Sequence, residues 1–287
     1  MKQLTVISGK GGTGKTTLTS AFAALAENAT IADCDVDAAN MHLLLQPEII
    51  KTYDFTALPT ANIHLEQCTG CGICVDNCRF GAIKEGFEID PYICEGCGVC
   101  EYVCPADAVT MEYNKCGEAY ESKTRFGPLV HAKLGIGEEA GGKLVTLVRE
   151  IAEEVGPKNN CDTIIIDGPP GTGCSVIAAL TGVDIALVVT EPTVAGIHDL
   201  KRVMEVTEHF EIPSLVCINK SDINDNKRRE IEKFCTQKGI KIAGEIPYDT
   251  TPTEAMVEGK TIVEYTDNSF AKCVIEVWEE VKEEMQS

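Results

Sequence analysis

The sequence predicts an α/β protein: a mostly parallel sheet with helices on both faces, interrupted by a small α+β insert rich in cysteine. Three observations carry this. Short apolar runs alternate with helical patterns near both ends of the chain, the order that builds parallel sheets. A glycine-rich loop separates the first apolar run from the first helical pattern. In the middle, the alternation stops and one cysteine pattern occurs twice. The expected boundaries are 1–60 and 115–287 for the discontinuous frame and 61–114 for the insert.

The frame begins with the strand Leu4-Thr5-Val6-Ile7-Ser8, then Gly9-Lys10-Gly11-Gly12-Thr13-Gly14-Lys15-Thr16, then a helix from Thr17 to Ala26. Strand, G-x-x-x-x-G-K-T loop and helix together define a P-loop. Its glycines let backbone N–H groups converge on phosphate oxygens at a helix N-terminus. Gly11, Gly12, Thr13, Gly14, Lys15, Thr16 and Thr17 are the expected nucleotide cradle, with Lys15 on the β- and γ-phosphates and Thr16 on Mg²⁺.

Further strands follow. Thr30-Ile31-Ala32 ends in Asp33-Cys34-Asp35-Val36-Asp37, and Thr163 to Ile166 ends in Asp167 and Gly168-Pro169-Pro170-Gly171-Thr172-Gly173. Asp167 reads as the aspartate that holds Mg²⁺ through water, since magnesium keeps several waters. Asp184–Thr190, Ser214–Ile218 and Ile240–Ile246 complete the expected set, the last two ending at Asn219-Lys220 and Pro247-Tyr248-Asp249. Ligands of open α/β sheets bind at such strand ends. Phe270, Val274, Val277, Val281 and Met285 stand at helical spacing, a core-packed C-terminal helix. Its five Glu against two Lys argue against a basic membrane-surface helix.

The insert holds eight of the 15 cysteines. Cys68, Cys71, Cys74 and Cys78 have the spacing C-x2-C-x2-C-x3-C, and Cys94, Cys97, Cys100 and Cys104 repeat it 26 residues later. Bacterial ferredoxins hold 4Fe–4S clusters with this run, and the fourth cysteine ligates the other cluster. Cys68, Cys71, Cys74 and Cys104 are therefore assigned to one 4Fe–4S cluster, and Cys94, Cys97, Cys100 and Cys78 to a second. The alternative is a pair of zinc sites. Zinc takes four ligands from two separated CxxC pairs, which fits these dense runs poorly. One departure is Arg79 after Cys78, where the second run has Pro105 after Cys104.

Composition narrows the function. A formal net charge of −20 opposes non-specific binding to nucleic acid, whose affinity comes from Lys and Arg. No run of about 18 apolar residues predicts a membrane span, and no signal peptide is read at the N-terminus. The expectation is a cytoplasmic protein, and its cysteines then favour metal ligation over disulfides.

The loop KGGTGKT, with Lys10 before Gly11, resembles the deviant Walker A loop of the MinD/ParA/Mrp branch of P-loop ATPases. DCDVDAAN (33–40) resembles that branch's switch I and DGPPGTG (167–173) its Walker B and switch II. With the cysteine repeat, the chain resembles MinD-superfamily ATPases that contain an inserted ferredoxin domain. The resemblance implies roles. Lys10 would contact phosphate across a nucleotide-sandwich dimer, formed with a second copy or a paralogue. Asp35 would position or polarise the attacking water. Asp33 and Asp167 would support Mg²⁺ through water, and Asn40 sits at the switch asparagine. Asn219 would read the base, with Pro247 packing against it, so ATP is the expected nucleotide. Asn219-Lys220-Ser221-Asp222 also fits N-K-x-D, the guanine-reading pattern, unless Asp222 caps the following segment.

Arg125-Phe126-Gly127-Pro128-Leu129-Val130-His131 resembles a segment of Mrp-type iron–sulfur carriers, but the carriers' C-terminal cysteine pair is missing. Cys116, Cys161, Cys174, Cys217, Cys235 and Cys273 are scattered and read as small buried hydrophobes. His131 reads as structural. The expected function is an iron–sulfur ATPase that couples nucleotide state to electron transfer, for cofactor assembly or a redox partner. The alternative is a positioning or scaffold ATPase whose clusters are structural.

Overall fold

The computed structural model describes residues 1–135 and 141–286. The chain divides into two compact units. One comprises Met1–Tyr53, Ala119–Lys133 and the chain from Gly141 onward, and the other is built on Asp54–Glu118.

The larger unit begins β1 (Lys2–Ser8), α1 (Lys15–Leu25), β2 (Ala29–Asp33), α2 (Met41–Leu45) and β3 (Glu48–Thr56). The smaller unit contributes β4 (Thr60–Ile63), α3 (Ile73–Asn77), α4 (Val99–Tyr102) and β5 (Val109–Glu112). The chain returns through β6 (Lys115–Thr124) and β7 (Gly127–Leu134), then α5 (Gly141–Lys158), β8 (Thr163–Pro170), α6 (Cys174–Leu180) and β9 (Ile185–Thr190). Next come α7 (Val194–His209), β10 (Ser214–Asn219), α8 (Asp225–Lys238), β11 (Lys241–Ile246), α9 (Thr251–Val257), α10 (Ile262–Tyr265) and α11 (Ser269–Gln286).

The nine-stranded sheet has the order β11-β10-β9-β1-β8-β2-β7-β6-β3. Every pairing from β11 through β7 is parallel. Strand β1 lies between β8 and β9, so the loop after it opens at the carboxyl edge of the sheet centre. β3 leads away from the sheet and β6 leads back, and these two are hydrogen-bonded neighbours. No strand was expected at β3, β6 or β7. β3 is almost wholly exposed, so its sequence has no apolar alternation to signal a strand.

Side chains alternate across each strand. Leu4 and Val6 on β1 join a buried cluster with Leu18, Ala21 and Phe22 of α1 and Val274, Val277, Trp278 and Val281 of α11. Thr5, between them, donates its hydroxyl to the Ala179 carbonyl of α6 on the other face at 2.9 Å. Phe22 and Trp278 meet at 5.1 Å between ring centroids. The expected apolar stripe of α11 is buried throughout. No described helix is long and apolar enough to cross a membrane.

The smaller unit has little apolar mass. β4 and β5 pair antiparallel, Thr60 opposite Glu112 and Ile63 opposite Val109. Helices α3 and α4 each follow a left-handed glycine, Gly72 at φ 76° and Gly98 at φ 71°, so the sequence repeat is also a conformational one. The core consists of Ala61, Ile63, Cys74, Ile83 and Val109, with Cys68, Cys78, Cys94, Cys100 and Cys104 packed around them.

Candidate nucleotide site and cysteine cavities

The phosphate loop turns from β1 into α1 through Gly14, whose φ of 96° is left-handed. A Cβ there would lie 2.4 Å from Asn219 Nδ2, so this position requires glycine. Asn219 Nδ2 donates to the Thr13 carbonyl at 2.7 Å, and its Oδ1 accepts the Lys220 N–H at 2.9 Å. The expected base-reading residue thus braces the loop. Asp222 Oδ1 accepts the Tyr248 N–H at 2.7 Å, which fastens the segment after Pro247.

Three carboxylates gather behind the loop. Asp33 and Asp167 are paired neighbours on β2 and β8, and both are fully buried. Thr16 Oγ1 donates to Asp167 Oδ2 at 2.7 Å, and Thr19 Oγ1 lies 3.0 Å from Asp167 Oδ1. Burial pushes Asp167 up to about 6, against the lowering pull of Thr16 and Lys15. Burial and the neighbouring Asp167 charge raise Asp33 well above the ordinary carboxylate range. Its two oxygens accept the N–H groups of Asp35 at 3.2 Å and Met41 at 3.3 Å, tying β2 to the start of α2 beyond Asn40. Burial also raises Asp35, with Lys15 opposing it; Lys15 Nζ stands 3.9 Å from Asp35 Oδ2.

A buried group of carboxylates held high in pKa is short of positive charge, which a divalent cation would supply. In the loop itself the buried Thr13 hydroxyl has no hydrogen-bond partner among the described residues, and buried hydroxyls are ordinarily satisfied. Both observations fit a magnesium–nucleotide complex.

Lys10 forms an ion pair with Glu191, just past β9. Glu191 also accepts from Lys220 Nζ at 3.0 Å, and Lys220 Nζ donates to the Gly12 carbonyl at 3.2 Å. Sequence reasoning missed Glu191, Lys220 and Thr19. Glu191 could have been found, because it directly follows a buried strand on the edge where ligands bind.

In the smaller unit, Cys68, Cys71, Cys74 and Cys104 line one cavity with Ile63, Phe87, Ala108 and Val109. Cys78, Cys94, Cys97 and Cys100 line another with Ala61, Ile83, Ile89 and Met111. Backbone N–H groups reach sulfur, Gly70 to Cys68 at 3.4 Å and Ala108 to Cys104 at 3.3 Å. Burial raises the Cys74 and Cys100 thiols. At Cys78 burial also acts upward, but the N–H groups of Ala82, Phe80, Gly81 and Ile83 outweigh it and leave the thiol lowered. Among the described residues no three His, Cys, Asp or Glu side chains are grouped to hold a single metal ion; the thiols stand around cavity walls instead.

The remaining cysteines sit elsewhere. Cys34, Cys116, Cys161, Cys217 and Cys235 are buried, Cys273 is half-buried, and Cys174, at the start of α6, is exposed. His131 is buried in the sheet, 3.0 Å from Ser122 Oγ and against the Tyr120 ring. Burial, with a smaller contribution from His42, lowers it to about 4.

The fold and the site have counterparts. Residues 4–262 match the model of the CobQ/CobB/MinD/ParA nucleotide binding domain. An uncharacterized protein of Methanocaldococcus jannaschii is 32% identical over 284 residues, covering 98% of this chain and 96% of that protein. The iron–sulfur cluster carrier protein of Pyrococcus abyssi is 29% identical over 155 residues, 49% of this chain and 52% of that protein. Among solved structures, the septum site-determining protein MinD of Pyrococcus horikoshii complexed with Mg-ADP superposes with a TM-score of 0.60 at 20% identity, over 98% of this chain and 95% of that one. A phosphate loop at the sheet centre, backed by buried carboxylates and matched along nearly the whole chain, makes this protein a member of the CobQ/CobB/MinD/ParA nucleotide-binding family and an ATPase.

Proposed function

We propose that this ATPase carries two 4Fe–4S clusters in its 54–118 unit and couples nucleotide state to electron transfer, serving metal or iron–sulfur cofactor assembly or a redox partner. The observation that carries the reading is the sorting of eight cysteines into two apolar cavities, four to each. The donor set fits the group. Thiolates hold such clusters, and N–H groups directed at sulfur tune them. The small unit also needs the addition, because an apolar core this small rarely supports a fold without a staple. Cys68, Cys71, Cys74 and Cys104 would hold one cluster, and Cys78, Cys94, Cys97 and Cys100 the other. When bound, the clusters would store and pass single electrons.

The frame's residues do the nucleotide work. Lys15 and the loop N–H groups bind the phosphates, and Thr16 holds Mg²⁺, with Asp167 and Asp33 acting through water. Asp35 positions the attacking water. Phosphoryl transfer depends mainly on such positioning and charge stabilisation. Asn219 and the Pro247 segment flank the base. A second copy, or a paralogue, closes over the nucleotide and supplies its Lys10. The likeness of half the chain to an iron–sulfur cluster carrier supports cofactor assembly as the purpose.

A second reading, a scaffold ATPase with structural clusters, is favoured by one fact: the cysteines are themselves the core of the small unit. An anaerobic redox titration followed by electron paramagnetic resonance, with and without MgATP, separates the two. Coupling predicts a shift in potential or line shape with MgATP. Identical spectra, with ATP turnover indifferent to reduction, would leave the scaffold.

A further inference from the structure

We propose that Glu191 is a positioning residue for the ATPase reaction: it holds Lys10 against its own chain and releases it when a second copy closes over the nucleotide. This deepens the proposed function and rests on its reading of Lys10 as the phosphate contact across the dimer.

The geometry is a three-member charge relay on three separate segments. Lys10 lies in the phosphate loop, Glu191 follows β9, and Lys220 follows β10. The Glu191 carboxylate takes Lys10 on Oε1 and Lys220 on Oε2, the latter at 3.0 Å. Glu191 is 9% exposed at its side chain, whereas Lys10 is 33% exposed. The lysine therefore reaches solvent from a carboxylate anchored inside the protein. Lys220 is anchored too, by its bond to the Gly12 carbonyl at 3.2 Å, and its left-handed backbone, φ 54°, is one that non-glycine residues seldom adopt.

The second lysine is what makes a release possible. Stripping the only partner from a buried carboxylate is strongly unfavourable. Here Lys220 remains on Glu191 when Lys10 departs, so no orphaned charge is left behind. The same pair keeps Lys10 from reaching a phosphate on its own chain, which makes closure by a second copy the condition for its use. Sequence patterns do not disclose this, because the partners are 181 and 29 residues from Glu191.

Glu191→Gln tests it in the full-length protein. Association would be measured by sedimentation velocity with the β,γ-imido analogue of ATP, and turnover by phosphate release across a range of protein concentrations. Losing one charged hydrogen bond that opposes closure should lower the association midpoint about tenfold. Specific activity should rise at low protein concentration and converge with wild type at high concentration, whereas a merely structural defect would lower activity at every concentration. Glu191→Asp keeps the charge but retracts it, and should lower the midpoint roughly two- to threefold; it serves as the test should the glutamine variant not fold. An unchanged or raised midpoint, with Lys10→Ala unable to associate, overturns the role of Glu191 alone. Lys10→Ala that associates and turns over like wild type removes the reading of Lys10, and this inference with it.

Discussion

Asp33 and Asp167 are paired neighbours on β2 and β8, both fully buried. Two carboxylates are thus fixed side by side in the sheet, behind the phosphate loop. Backbone N–H groups partly satisfy Asp33, and Thr16 and Thr19 satisfy Asp167. Burial and neighbouring carboxylate charge raise both above the ordinary range, so ionising them without a compensating positive charge is unfavourable.

A pH dependence follows for Asp167. Its pKa is raised to about 6, so its ionisation penalty is absent below about pH 4 and complete above about pH 6. Asp167→Asn should therefore stabilise the nucleotide-free protein against urea at pH 8 and hardly at all at pH 4, while abolishing ATP turnover. A variant less stable than wild type at pH 8 would contradict this.

His131 works in the opposite direction. Burial lowers its pKa to about 4, so its contribution is fully present above about pH 6.5, is lost progressively as the pH falls below that, and is gone by about pH 4. The loss amounts to about 3 kcal/mol. His131→Gln, which keeps a polar partner for Ser122, should flatten that part of the acid-unfolding curve. An unchanged slope between pH 6.5 and 4 would show that the imidazole is not held neutral.

Lys15→Ala should reduce ATP turnover about a hundredfold or more, because on the proposed reading the buried ammonium supplies the loop's charge to the phosphates. Iron and sulfide content after anaerobic reconstitution should stay at the wild-type level, since no cysteine of the cavities is altered. Loss of iron in this variant would mean that the two units stand or fall together.

Cys78→Ser and Cys104→Ser interrogate the cavities. Each should remove about half of the bound iron, one from each set of four. Amide exchange in β4 and β5 should accelerate, because the sulfurs are the core there, while protection in β1 and β8 persists. Full iron content in either variant would dismiss that cysteine as a ligand.

Trp278→Ala examines the frame by itself. The ring packs on Phe22 at 5.1 Å and is nearly buried, so truncation should lower stability by about 3–5 kcal/mol in denaturant unfolding. A change below about 1 kcal/mol would show that α11 is not joined to the sheet core.

What could be read from the residues alone was whatever is encoded by neighbours in the chain. The phosphate loop is eight consecutive residues between a strand and a helix, and its conformation follows from its glycines. The cysteine repeat is equally local. The strands β8, β9 and β10 announced themselves because both faces are buried and the runs are almost purely apolar, and the stripe on α11 did so by its helical period. The structure alone decided what depends on charges and edges meeting from afar. β3, an exposed edge strand, has no face to pattern. That Asn219, expected to read a base, also braces the Thr13 carbonyl came only from the structure, because β10 ends beside the loop. The bond between Lys10 and Glu191 spans 181 residues. No spacing rule reaches that far, because a parallel sheet brings strand ends together by its order in space and not by their order in the chain.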